Sequence, residues 1–177
     1  MLEKIVANEI AKPNILKDIK IDKNIDIDKP QIKTPLTNTD KEKLQKETGW
    51  SKEIIDAISS KEEAEIYKKA NLVEADINGK KCLIKSDINM EQKDEFARTN
   101  KERMQEGKAP LDKEGKPIEL HHIGQKSDGS LAELTNAEHH KCGNDTILHD
   151  KNKESEIDRV AFGKERAQHW ENRAENV

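Results

Sequence analysis

Apolar positions are sparse and unevenly spread along the 177 residues, and their spacing predicts short elements rather than one long repeat. Over 1–38, prolines 13, 30 and 35 interrupt a text in which isoleucine alternates with charge, as in IKIDKNIDIDK. This reads as a flexible linker, with an exposed strand as the alternative. From Thr39 the punctuation changes. TDKEKLQKETGW predicts a helix capped by Thr39 and stopped at Gly49; SKEIIDAISS restarts at Ser51 and SKEEAEIYKKA at Ser60. In LVEADINGKKCLIKSDI, Asn78 and Gly79 lie between two alternating runs. That predicts a β-hairpin, because both central residues of a type I′ turn need positive φ. EQKDEFARTNKERMQEG predicts another helix, ending at Gly107 with Pro110 beyond it.

The last third follows a different plan. DKEGKP is a turn, IELHHI a strand, GQKSDG a loop and LAELT a second strand. Thr135 and Glu138 then form a T-x-x-E capping box, so a helix begins at Asn136 and breaks at Gly143 and Asn144. Ser155 and Asp158 open a terminal helix carrying Ile157, Val160, Ala161, Ala167, Trp170 and Ala174 at near-helical spacing. The expected class is α+β, with a linker over 1–38, a small helical and hairpin accessory module over 39–107, and a strand-loop-strand-helix domain over 108–177.

Composition narrows the function classes. Hydrophobic residues make up 32% against 38% charged, too little apolar matter for a uniformly packed core along the whole chain. The net charge of -4 argues against binding a polyanion through bulk positive charge, so any polyanion must be met by local residues or a metal. Cys82 and Cys142 form no CxxC pattern, which indicates neither a disulfide framework nor a four-thiolate zinc site. No apolar run suffices to span a bilayer, and the chain reads as soluble.

Chemistry concentrates between residues 121 and 149, where five of the six histidines fall: His121, His122, His139, His140 and His149. An imidazole can ligate a borderline metal or accept a proton near neutrality. On a strand, Glu119 and His121 share one face and Leu120 and His122 the other, so a common site needs the strand to end or bend, and Gly124 permits that. On the helix, His139 and His140 point about 100° apart, and His139 is the one expected to face the hairpin. Three imidazoles with one open coordination position describe a catalytic divalent site, a free histidine serving as general base.

These residues carry a resemblance. ELHH, then LT-x-x-EH, then LH, within the wider phrases GKPIELHHIGQ, LAELT and ILH, resemble the LHH family within the HNH, or endonuclease VII-like, nucleases of ββα-metal fold, found as C-terminal toxin domains of bacterial polymorphic toxins. The resemblance implies that His121, His139 and His149 hold one divalent ion (Zn, Mg, Mn or Ni), that His122 is the general base, and that Glu119 orients an imidazole or touches the metal. The asparagine that braces the loop in HNH motifs has Ser130 at its place, leaving Asn144 as the candidate for that role. It further implies a nucleic-acid substrate, DNA ahead of RNA, a cognate immunity protein, and delivery within a larger toxin to a target-cell cytoplasm. Two other readings stay open: a ribonuclease toxin, and a non-catalytic module in which His121, His139, His149 and Cys142 close a structural zinc site.

Plainer roles are expected elsewhere. Trp50 and Trp170 read as core anchors, His169 as a packing or surface residue beside Trp170, His140 as a solvated neighbour and Cys142 as a small buried residue. Gln125 suits loop bracing or phosphate contact, and Lys126, Lys141, Lys151 and Arg159 suit phosphate contact or solvated surface.

Overall fold

The computed structural model describes residues 33–152 and 157–175. The linker expected over 1–38 lies outside them up to residue 32, as does Ser155. Three short helices come first: α1 (Asn38–Thr48), α2 (Lys52–Ala57) and α3 (Lys61–Lys69). Ser51 and Ser60 cap α2 and α3 as their positions predict. The cap of α1 is Thr37, not Thr39: its hydroxyl accepts from the Asp40 N–H while the Asp40 carboxylate accepts from the Thr37 N–H, and Leu36 just before it packs on the core. Gly49 ends α1 in the left-handed region.

Strands β1 (Val73–Ile77) and β2 (Lys80–Ile84) form the expected hairpin, with φ of 54° at Asn78 and 79° at Gly79. The long helix expected after it is shorter than its pattern suggests, and only α4 (Asn100–Gln105) is helical. Asp94 explains the loss. Its carboxylate accepts from the Phe96 and Arg98 N–H groups and pairs with the Arg98 and Arg103 side chains, which turns the chain before the Thr99–Glu102 capping box restarts it.

Next come β3 (Glu119–His122), β4 (Leu131–Leu134), α5 (Asn136–His140), α6 (Asn144–Leu148) and α7 (Arg159–Ala174). Thr135 caps α5 with Glu138 as predicted, and Asp158 caps α7. The sheet order is β1-β2-β4-β3: two antiparallel hairpins joined by a parallel contact at Leu83 and Ala132. Residues from 39–107 and 108–177 therefore share one sheet. Leu83, Ala132, Leu134 and Ile123 pack with Leu44, Trp50, Ile54, Tyr67 and Leu148 on one face; Cys82, Ile84, Leu120 and Leu131 pack with Met104, Trp170 and Ala174 on the other. Helices thus cover both faces, and β3 is an edge strand.

A buried polar clamp fixes α7 to this sheet. Glu133 is fully buried; its Oε1 accepts from His169 Nε2 at 2.9 Å and Arg173 Nε at 3.3 Å, and its Oε2 accepts from the Lys85 N–H at 2.9 Å. Arg173 also donates to the Lys85 carbonyl at 3.0 Å. Replacing Glu133 with Ala leaves a buried guanidinium unpaired and should cost about 3–5 kcal/mol. Urea unfolding of Glu133→Ala beside the parent chain measures this; a midpoint unchanged within error would show that apolar packing alone holds α7.

Candidate metal and nucleic-acid site

Alternation along β3 assigns the paired histidines to opposite sides of the sheet. His121 turns toward α3, α5 and α6, where its ring lies 6.5 Å from that of Tyr67. His139 arrives from the last turn of α5 and His149 from the C-cap of α6. The three ring centroids stand 5.2, 5.1 and 5.0 Å apart in pairs, and each residue offers a ligand atom within 4.8 Å of the others. Nε2 of His121 and Nε2 of His139 are both buried without a hydrogen-bond partner. A buried polar atom left unmatched is costly, and two of them aimed into one imidazole cluster fit a cation that would match both.

Carboxylates hold the ligand rings from behind. Glu119 Oε2 accepts from His139 Nδ1 at 2.5 Å and His140 Nε2 at 2.8 Å, while its Oε1 accepts from Asn136 Nδ2 at 2.9 Å. Asp145 accepts from His149 Nδ1 at 3.1 Å, lies 3.5 Å from His140 Nδ1 and pairs with Lys151. With Nδ1 of His139 and His149 committed to a carboxylate, the proton sits there and Nε2 keeps its lone pair free for an ion. Burial, reinforced by the neighbouring imidazoles, pushes His121 well below the usual histidine range. Burial also lowers His139, outweighing the opposing pull of Glu119. Both rings are thus neutral at pH 7, the form that ligates. Burial alone would raise the Glu119 carboxyl, but hydrogen bonds from Asn136, His139 and His140 overcome it and hold the group below its ordinary value.

His122 meets a different set of groups. Its Nε2 is 2.9 Å from Glu165 Oε2, its ring centroid is 4.5 Å from that of Phe162, and Lys80 pairs with the other Glu165 oxygen. Burial lowers its pKa against the raising effect of Glu165, so this imidazole too is neutral at pH 7. The structure therefore joins His121, His139, His149 and Glu119 in one cluster and seats His122 with α7.

The turn after His122 is held by groups that the sequence pattern did not reveal. Glu63, buried in α3, accepts from the Gly124 N–H at 2.9 Å and from the Tyr67 hydroxyl at 2.7 Å. Gly124 has φ +66° and lies so close to α2 that a Cβ there would stand 2.4 Å from the Ala57 carbonyl oxygen, hence glycine. Gln125 braces as one of its two expected roles, its Oε1 accepting from the Asp150 N–H at 2.8 Å. Asn144 Nδ2 donates to the Glu138 carbonyl at 2.7 Å and ties α6 to α5. Cys142 is a correction: it is exposed, sits at φ 58° in the tight link between α5 and α6, and belongs to neither metal-competent group among the described residues. His169 is buried on Glu133, a packing role, and both tryptophans are buried. Glu165, Asp145 and Glu63 were missed because acidic residues are common in this chain and each partner lies on another element. The one available signal is the helical spacing of Phe162, Glu165, Arg166 and His169 along α7.

Among the described residues, no helix is long and apolar enough to cross a membrane. No curated protein and no solved structure matches the chain. Residues 99–176 match a family model described as LHH, a nuclease of the HNH/ENDO VII superfamily with conserved LHH, and Leu120, His121 and His122 supply that triplet. This C-terminal part of the chain, in an α+β setting of helices around a small mixed sheet, is similar to the LHH family of HNH/ENDO VII superfamily nucleases.

Proposed function

We propose that the chain is a metal-dependent endonuclease that hydrolyses phosphodiester bonds of DNA with little sequence choice. The carrying observation is the pair of buried, unpartnered Nε2 atoms on His121 and His139 within a three-imidazole cluster. His121, His139 and His149 hold a divalent ion. When bound, it supplies Lewis acidity at the phosphate and charge stabilisation for the leaving oxygen. Glu119 and Asp145 fix the rings of His139 and His149 so that Nε2 faces inward.

His122 is the general base in this reading. With Nε2–H donating to Glu165, its Nδ1 carries the lone pair that takes a proton from the attacking water, and Glu165 stabilises the imidazolium that results. Although His121 and His122 occupy opposite faces, β3 lies at the sheet edge, where a substrate strand can touch groups from both. A cavity along this edge supports the idea, since Glu119 and His139 line it from one side and Phe162 and Arg166 from the other. Weak sequence choice is supported by α5 and α6, the helices beside the cluster, being five residues each, too short to lay a recognition helix in a groove. Action in a target cell, as the toxic part of a larger polypeptide checked by an immunity protein, completes the proposal; the likeness of the ELHH segment to toxin domains supports it.

Adding zinc, manganese or nickel to chelator-treated protein should raise its melting temperature, corresponding to about 2.7 kcal/mol at a hundredfold excess over Kd. His121→Ala and His139→Ala should each erase that rise, whereas an unchanged rise in both would place the ion elsewhere.

Incubated with plasmid and a divalent ion, the parent chain should nick and linearise DNA. His122→Ala should slow this by about 10²–10⁴-fold while still binding metal. Intact plasmid under every metal would remove the proposal, cutting of RNA alone would transfer it to a ribonuclease, and normal cutting by His122→Ala would remove the base assignment.

A further inference from the structure

The cavity at the edge of β3 has a volume of about 530 Å³, within the approximately 300–1,000 Å³ range of small-molecule sites. Leu120 of β3 and Trp170 of α7 contribute apolar lining, Glu119 and His139 line it from the imidazole cluster, and Phe162 and Arg166 line it from α7. The Arg166 guanidinium carbon is 5.0 Å from the Phe162 ring centroid, and Phe162 in turn contacts the His122 ring. Flat, cationic and solvent-facing, Arg166 offers a plane for stacking and a charge for a phosphate. Phosphate chemistry alone does not call for an apolar recess of this size beside the ligands. A heterocyclic base attached to that phosphate does.

We infer that this cavity is a subsite for one unpaired nucleobase of the substrate, stacked on the Arg166–Phe162 pair while the adjoining phosphate meets the histidine cluster. The inference rests on the nuclease reading for the position of the phosphate, and it names the substrate class as nucleic acid with unpaired nucleotides. A base within a duplex would first have to leave its stack, at a cost that a single strand has largely avoided. Base stacking on such platforms tolerates any sequence, in keeping with weak sequence choice.

The test uses the full chain with chelator present, so that binding is read without turnover. Its probes are an octamer of thymidylates, an octamer of the same phosphates lacking bases, and a hairpin duplex, each measured by calorimetry or fluorescence anisotropy. The thymidylate octamer should bind about tenfold tighter than the abasic one, with the duplex resembling the abasic strand. Phe162→Leu and Arg166→Ala, each checked for an intact fold by its melting curve, should close that gap. Equal affinity for the two octamers, a gap surviving both substitutions, or no binding of either would overturn the subsite. Plasmid cutting that persists alongside equal octamer affinities would spare the nuclease reading, whereas base-dependent binding with no cutting under any metal would sink the nuclease reading and keep the subsite.

Discussion

The period-two geometry of a β-strand governs this molecule. Two adjacent imidazoles on β3 cannot serve the same side of a sheet, so the chain furnishes each side with its own companions. His121 looks into a layer built by α3, α5 and α6, where two further imidazoles and their carboxylates come together. His122 looks toward α7 and finds Glu165 and Phe162. Everything else, from the short helices around the cluster to the long terminal helix across the sheet, can be understood as keeping those two environments distinct yet next to the same open strand edge.

Burial does the chemical tuning. An imidazole in water spends part of its time protonated near neutrality, and a protonated ring can neither ligate nor accept a proton. Enclosure removes that competition for His121, His122 and His139, while each of His139, His149 and His122 keeps one ring nitrogen against a carboxylate. The carboxylates both fix these rings in place and set their protonation. They select the tautomer, which decides which nitrogen is left over.

Local features were readable from the text. The Asn78–Gly79 turn and the caps at Ser51, Ser60, Thr135 and Asp158 each depend on a few neighbouring residues, and each formed where its pattern placed it. Reading failed where two local solutions competed, as with Thr37 and Thr39 before α1, or where one side chain bent the chain, as Asp94 does ahead of α4. It failed again where a backbone requirement overrode a preference, which is why Cys142 is exposed at positive φ rather than buried. Among the site residues, the crowding of histidines between 121 and 149 was visible in one dimension. Glu165, Asp145 and Glu63 were not, because their partners are set by tertiary packing and their residue type is common in this sequence.

The single parallel pairing between β2 and β4 bears on how portable the family-matching segment is. The stretch matching the family starts at residue 99, yet β4 leans on β2 and the Gly124 turn hangs from Glu63, both upstream of that point. Transplanted alone onto another carrier, the matching stretch would present an unsheltered strand inviting aggregation and a slack turn beside its histidines. The hairpin and α3 before it therefore brace the strand and the turn that flank the LHH triplet.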